Sequence, residues 1–261
     1  MRSAGRAMTA LTFQTSDGLS VEVHADRAAM GRAAGDAAAA AIRTVLNRRA
    51  QARVVFAAAP SQSEMLDALV AASGVDWQRV TAFHMDEYVG LAPDAPQRFA
   101  NWLDREIFSR VPFGRIERLR PDPDAAAECA RYAALLNAEP IDLVCLGIGV
   151  NGHIAFNDPP VADFADPLDV KQVELDDICR QQQVDDGAFG RFDDVPRTAV
   201  TLTAPRLMRA GRLVCTVPGP AKRAAVRAAL HGPLSTACPA SILRTHPECT
   251  LFLDAGSNPD G

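Results

Sequence analysis

Four polar side chains stand close together in the run LVCLGIGVNGHIAFNDPP, Leu143 to Pro160: Asn151, His153, Asn157 and Asp158. An imidazole with a carboxylate beside it is a proton shuttle that titrates near neutral pH. Asp86 and Glu87 add two carboxylates just after the strand-like run 79–84 and Met85. A pair of this kind at a strand end is either a solvated turn or a catalytic base. Lys222 lies in VPGPAKR (217–223), two residues after Pro220, which suits a first helical position. That puts a cation in a first helical turn, where the macrodipole disfavours it. Either a bound anion reverses the penalty or the lysine is solvated. Lysine is otherwise scarce, with Lys171 and Lys222 set against 25 arginines.

The elements that must position these groups read as alternating strands and helices. Leu143, Val144, Cys145 and Leu146 form an apolar run bounded by glycine, the mark of a buried strand, so the polar cluster follows at its carboxyl end. Open α/β sheets bind ligands there. Gly147, Gly149 and Gly152 spell G-x-G-x-x-G, but Ile154, Phe156 and Asn157-Asp158 oppose the helix that a dinucleotide fingerprint needs, and Pro159-Pro160 stops it. The glycines instead let the backbone bend and approach a small ligand, with Gly152 among the contacts.

Upstream, a hairpin is expected at 11–25 around Asp17-Gly18. A helix capped by Asp26 follows, with Met30, Ala33, Ala37, Ala41, Val45 and Leu46 inward. Arg53 to Ala59 is a strand that leads through Ser61, Gln62 and Ser63 into a helix. Unpaired N–H groups at such a junction either bind an anion or are capped by Ser61 or Ser63. Further strands are expected at 79–84, 170–175, 198–203, 213–217 and 250–253. Helices are expected at 96–111, 124–137, 205–209, 220–231 and 239–245, and the polar stretch 180–194 as a mobile segment over the site. The pattern implies a largely parallel sheet with helices on both faces.

Composition narrows the function classes. A chain of 261 residues, 48% hydrophobic, buries a large core in one expected domain with loose ends at 1–10 and 256–261, and no run approaches the roughly 18 apolar residues of a membrane span. No apolar segment of a secretory leader follows the N-terminal arginines, so export is not expected. Six cysteines without a C-x-x-C pair fit reduced thiols in cytoplasm and no metal cluster. A formal net charge of -5 argues against nucleic acid as a partner.

FHMDEYVGL (83–91), GIGVNGHIAFNDPP (147–160) and VPGPAKRAAV (217–226) together resemble the glucosamine-6-phosphate deaminase branch of the deaminase and 6-phosphogluconolactonase family. The likeness covers roughly residues 20 to 255. It implies a modified Rossmann-like α/β fold and conversion of an amino sugar 6-phosphate to a ketose phosphate plus ammonia, without metal or redox cofactor. By resemblance Asp86 is the base for the C2 proton, His153 opens the sugar ring, Asp158 stands where a glutamate is usual, and Lys222 binds phosphate. Asn151 replaces an aspartate, and PSQSE (60–64) replaces a glycine-rich phosphate loop. The phosphate-binding arginine has Arg180 as its nearest counterpart. Lactone hydrolysis and silent sugar-phosphate sensing stay open as alternatives, as does a homo-oligomer.

Overall fold

The structure is a computed structural model that describes residues 10–261. The first nine residues of the expected loose N-terminal end lie outside that range. The strands are β1 (Leu11–Gln14), β2 (Ser20–His24), β3 (Ala52–Phe56), β4 (Val80–His84), β5 (Asp86–Tyr88), β6 (Arg115–Glu117), β7 (Leu143–Leu146), β8 (Val170–Glu174), β9 (Thr198–Leu202), β10 (Leu213–Val217) and β11 (Cys249–Asp254). The helices are α1 (Arg27–Leu46), α2 (Ser63–Ala71), α3 (Phe99–Leu103), α4 (Ala125–Asn137), α5 (Asp177–Asp185), α6 (Ala204–Met208) and α7 (Arg223–His231).

Eight strands form one sheet in the order β1-β2-β11-β10-β7-β3-β4-β6, parallel throughout except for the β1-β2 hairpin. From β3 the chain steps outward to β4 and β6, then returns to lay β7 on the other side of β3. Strand order therefore reverses between β3 and β7, and the crevice that such a reversal opens lies at the carboxyl ends of both strands. Period-2 alternation fills both faces. Val54, Phe56, Leu143 and Cys145 pack with Met30, Ala38 and Ile42 of α1, while Val55, Val144 and Leu146 pack with Tyr132 and Leu136 of α4 and Val226 of α7.

Two features depart from expectation. A second sheet, β5-β9-β8, is antiparallel and stands apart from the main one, so the strands 170–175 and 198–203 do not extend the parallel sheet. Nothing in alternation alone says which sheet a strand joins. In α1 the fully buried stripe is Met30, Ala34, Ala38, Ala39, Ile42 and Leu46, and Ala33, Ala37, Ala41 and Val45 are only partly covered. An alanine-rich helix has little hydrophobic contrast to set its phase. Its glycines meet a helix rather than the sheet: a Cβ on Gly31 would lie 2.3 Å from Glu64 Cβ of α2, and one on Gly35 would lie 2.5 Å from Ala68 Cβ.

Ser257 and Asn258, expected in a loose C-terminal end, are buried, and Asp254 accepts from the N–H groups of Ser257 (2.8 Å) and Gly219 (3.0 Å). The stretch 180–194, expected to be mobile, contains most of α5, capped by Asp176, with Cys179, Arg180, Gln182 and Gln183 buried. Several of its polar groups point inward and find partners there. Gln182 accepts from Val150 N–H (2.9 Å), and Gln183 accepts from the Tyr88 hydroxyl (2.8 Å).

Candidate active site

A cavity opens at the carboxyl ends of β3, β7 and β10. Asp86, His153 and Lys222 line it from three directions, with Ser61 and Gln62 on the β3 side and Gln182, Gln183 and Asp186 on the α5 side. The small sheet is what brings the first two together. β5 carries Asp86 opposite Thr201 of β9, and Thr201 Oγ1 accepts from the N–H of Phe156 in the loop that bears His153. Asn157, fully buried, ties the same loop down by donating to Ile154 O (2.9 Å) and Leu202 O (2.8 Å) and accepting from Ala204 N–H (3.2 Å). These bonds hold Ala155 at φ +48°, a left-handed conformation that non-glycine residues seldom adopt.

His153 Nδ1 faces two oxygens, Asn151 Oδ1 at 2.7 Å and Asp158 Oδ1 at 2.9 Å. Both are acceptors, so Nδ1 carries the proton and Nε2 keeps its lone pair when the ring is neutral. Asn151 then donates to Asp158 Oδ1 (2.9 Å) and Asp176 Oδ2 (3.2 Å). An amide at 151 fits that bridge, because a carboxylate there would face two others with no proton between them. Burial would raise the Asp158 carboxyl, but the hydrogen bond and charge of His153, with the Asn151 amide, hold it below its ordinary value. Neither Asn151 nor Asp158 lines the cavity; they stand behind His153.

Asp86 sits in the opposite electrostatic situation. Burial first, then the charges of Glu87 and Asp158, pushes its carboxyl well above the ordinary range. A carboxylate so placed is a stronger base than one in water. Glu87 points away from the cavity and accepts from the N–H groups of Phe99 and Ala100, both at 3.0 Å, so it clamps the start of α3 onto β5. Neither residue is in a solvated turn. Phe99 forms part of the cavity wall and packs on Tyr88 and Phe156 at centroid distances of 4.7 and 5.4 Å.

Behind Asp86, His84 donates from Nδ1 to the Asp86 carbonyl (2.9 Å) and accepts at Nε2 from Leu119 N–H (2.8 Å). A neutral ring satisfies both contacts, and burial drives its pKa down to about 3. An unfolded histidine takes up a proton below about pH 6.5. The stability that His84 contributes is therefore complete above that pH and is lost as pH falls toward 3. At about 1.4 kcal/mol per unit, roughly 2 to 3 kcal/mol should be gone by pH 4.5. Thermal unfolding between pH 7 and 4.5 should show a falling midpoint, with a shallower fall in His84→Gln; equal slopes would assign the loss to other groups.

Lys222 ends a short 3-10 turn, Pro220–Lys222, and enters α7. It is buried, and its ammonium makes no ion pair or hydrogen bond among the described residues. Burial lowers its pKa, partly offset by Asp186 and Cys179. A buried ammonium without a protein partner is costly unless a ligand supplies the anion.

Three expected contacts do not reach the cavity. Ser63 begins α2 and faces away. Gly152, at φ +85°, forms a turn packed on Cys238, whose Sγ would be 2.8 Å from a Cβ at 152. Arg180 donates to Phe192 O (3.1 Å) and Val195 O (3.0 Å) and stacks on Phe192 at 4.0 Å, so its guanidinium serves the fold. Gln182, Gln183 and Asp186 were missed in its place. Cys179 Sγ lies with His153 and Asp158 in a group whose polar atoms fall within 4.8 Å of one another. Burial, then Asp158, raises that thiol well above its ordinary value, which favours a protonated neighbour over a thiolate ligand.

A parallel α/β sheet with a cavity at its switch point, lined by a base, an imidazole and an unpaired ammonium, is the class that fold and site define. The chain belongs to the family described as glucosamine-6-phosphate isomerases/6-phosphogluconolactonase, which matches residues 25–162. It is 38% identical over 197 residues to the glucosamine-6-phosphate deaminase of Listeria innocua, covering 74% of this chain and 81% of that protein. The fold resembles a solved monomeric glucosamine-6-phosphate deaminase at TM-score 0.84 and 26% identity, covering 91% of this chain and 98% of that one. A 6-phosphogluconolactonase from Thermotoga maritima, 18% identical at TM-score 0.71 over 90% of this chain and 98% of that one, shares the fold.

Proposed function

We propose that this protein is an enzyme that converts glucosamine 6-phosphate and water to fructose 6-phosphate and ammonia. The observation that carries the reading is that Asp86, His153 and Lys222, far apart in sequence, line one cavity. Lys222 holds the phosphate. Nε2 of His153 moves a proton between the anomeric hydroxyl and the ring oxygen, and Asp158 and Asn151 support the charge that the ring gains. Asp86 takes the C2 proton of the open chain and returns it at C1, leaving an imine at C2. Water adds to C2, its oxygen becomes the ketone, and ammonia leaves. Proton transfers of this kind need a positioned base and a shuttle, each worth roughly 10² to 10⁴ in rate. The unpaired cysteines support a reducing compartment, the cytoplasm, and no described helix is long and apolar enough to cross a membrane.

The direct test is incubation with glucosamine 6-phosphate, with ammonia and fructose 6-phosphate measured together, beside a parallel assay with 6-phosphogluconolactone. Equal amounts of both products support the reading. Acid release above the spontaneous rate, with no ammonia, would put the lactone hydrolase in its place. Lys222→Ala should weaken phosphorylated ligands by about 1.5 to 3 kcal/mol, the worth of a charge-assisted contact, and leave unphosphorylated ones unchanged. Calorimetric titration that finds equal affinities in variant and wild type would place the phosphate elsewhere.

A further inference from the structure

The two carboxylate oxygens of Asp176 have separate partners. Oδ1 accepts from Ile178 N–H (3.1 Å) and caps α5. Oδ2 accepts from Asn151 Nδ2 (3.2 Å). A cap needs one oxygen, which serine or asparagine would supply as well, so the second contact calls for another reason. Asn151 supplies it. Its Oδ1 meets two donors of His153, the backbone N–H (3.1 Å) and ring Nδ1 (2.7 Å), while its Nδ2 meets two carboxylates, Asp158 Oδ1 (2.9 Å) and Asp176 Oδ2. Turning the amide over would set its oxygen against two carboxylates and its NH2 against two N–H groups, so the network admits one orientation.

The two carboxylates are not equivalent. Asp158 Oδ1 also lies 2.9 Å from His153 Nδ1 and acts on the ring directly. Asp176 makes no hydrogen bond to His153 among the described residues and reaches it through Asn151. With Asp176 in place, both hydrogens of the Asn151 amide have an acceptor; without it, one has none. The helix that Asp176 caps is tied to the same loop a second time, where Gln182 accepts from Val150 N–H (2.9 Å). Gln182, Gln183 and Asp186 of that segment line the cavity beside His153. One side chain thus joins the start of α5 to the support of the imidazole.

We propose that Asp176 is a positioning residue for His153: it holds the Asn151 amide in register, keeps the imidazole in one orientation at the cavity wall, and ties that orientation to the cap of α5. Its kinetic consequence rests on the sugar-phosphate reading of the cavity; its effect on the ring does not. A proton shuttle between two sugar oxygens works only from a fixed position, so loosening the amide lowers the rate of the step and leaves the binding of the phosphate alone.

A double-mutant cycle on kcat and KM with glucosamine 6-phosphate tests this, using Asp176→Ser, Asn151→Ala and the two combined. Serine retains the cap but has one oxygen, on a shorter side chain, for two partners. Asp176→Ser should therefore melt close to wild type, lose on the order of tenfold in kcat and keep KM within about twofold. In the Asn151→Ala background the same substitution should change kcat by less than about twofold, because the path to His153 is already cut. Asp176→Asn, again with a single acceptor oxygen, repeats the comparison should the serine variant fail to fold. NMR of the histidine rings gives a readout that needs no turnover. The Nδ1–H signal that disappears in His153→Gln should exchange with water at least about fivefold faster in Asp176→Ser than in wild type. Losses that multiply in the cycle, or an unchanged exchange rate of that proton, overturn the role of Asp176. Wild type that releases no ammonia overturns the sugar-phosphate reading instead, and the exchange rate then decides on Asp176 by itself.

Discussion

Asp86→Asn is expected to lower turnover by roughly 10² to 10⁴ and to raise the thermal stability of the protein at neutral pH. Asparagine keeps the shape and leaves the backbone hydrogen bonds of Asp86 in place, but has no basic electron pair. The gain in stability follows from burial. Because the Asp86 carboxyl is raised in the folded chain by desolvation, Glu87 and Asp158, the unfolded chain loses this proton first as pH rises. Whatever Asp86 contributes is present in full below about pH 3.9 and declines as pH climbs toward its folded value. The variant escapes that decline, so its advantage in melting midpoint should widen from about pH 4 upward and then level. The wild-type rate should also fall on the acid side at a higher pH than an ordinary carboxylate gives. Turnover within a few-fold of wild type would remove Asp86 as the base, and melting curves that stay parallel at every pH would mean that its burial costs nothing.

Gly149→Ala should be nearly as damaging to turnover, although the change is one methyl group. A Cβ at 149 would lie 2.1 to 2.3 Å from three atoms of the His153 ring. The ring has little freedom to yield, since Nδ1 is held by Asn151 and Asp158. Either it leaves those partners or the loop moves, and misplacement by about 1 Å commonly costs on the order of 10² in rate. Phosphate binding through Lys222 should survive, so kcat should drop with little change in ligand affinity. Gly190→Ala is the matched control: its Cβ would meet nothing within 4 Å, and activity should be that of wild type. Equal activity in the two variants would mean that His153 is not held in its working position by this packing.

How much of this was legible in the sequence depended on the kind of signal each residue sends. β7 was plain from its four apolar residues, and the helix cap at Asp26 from residue type alone. The loop 147–160 read correctly as non-helical because Ile154, Phe156 and two prolines act locally. What could not be read was pairing at a distance. Nothing near Thr201 announces that its hydroxyl holds the His153 loop, or that β5, β8 and β9 form a frame of their own. Polarity also misled. Arg180, Gln182 and Gln183 look like solvent-facing residues, yet each is buried and hydrogen-bonded, and only the fold reveals the partners. Gln62 was singled out for its place after β3, and it does line the cavity, but its contact with a carbonyl 154 residues away could not be read.

The scarcity of lysine gives the protein a built-in reporter. Among the described residues there are two primary side-chain amines: Lys171, whose Nζ lies 2.8 Å from Asp166 and 2.6 Å from Val161 O, and Lys222 in the cavity. The first is engaged by its neighbours. The second is desolvated, which lowers its pKa and leaves more of it as the free amine that acylating reagents attack. Covalent labelling followed by mass spectrometry would thus read one position against an internal standard carried by the same chain. Any molecule that fills the cavity should slow modification at 222 and leave 171 unchanged, so a ligand could be recognised by protection alone, before its conversion is ever assayed.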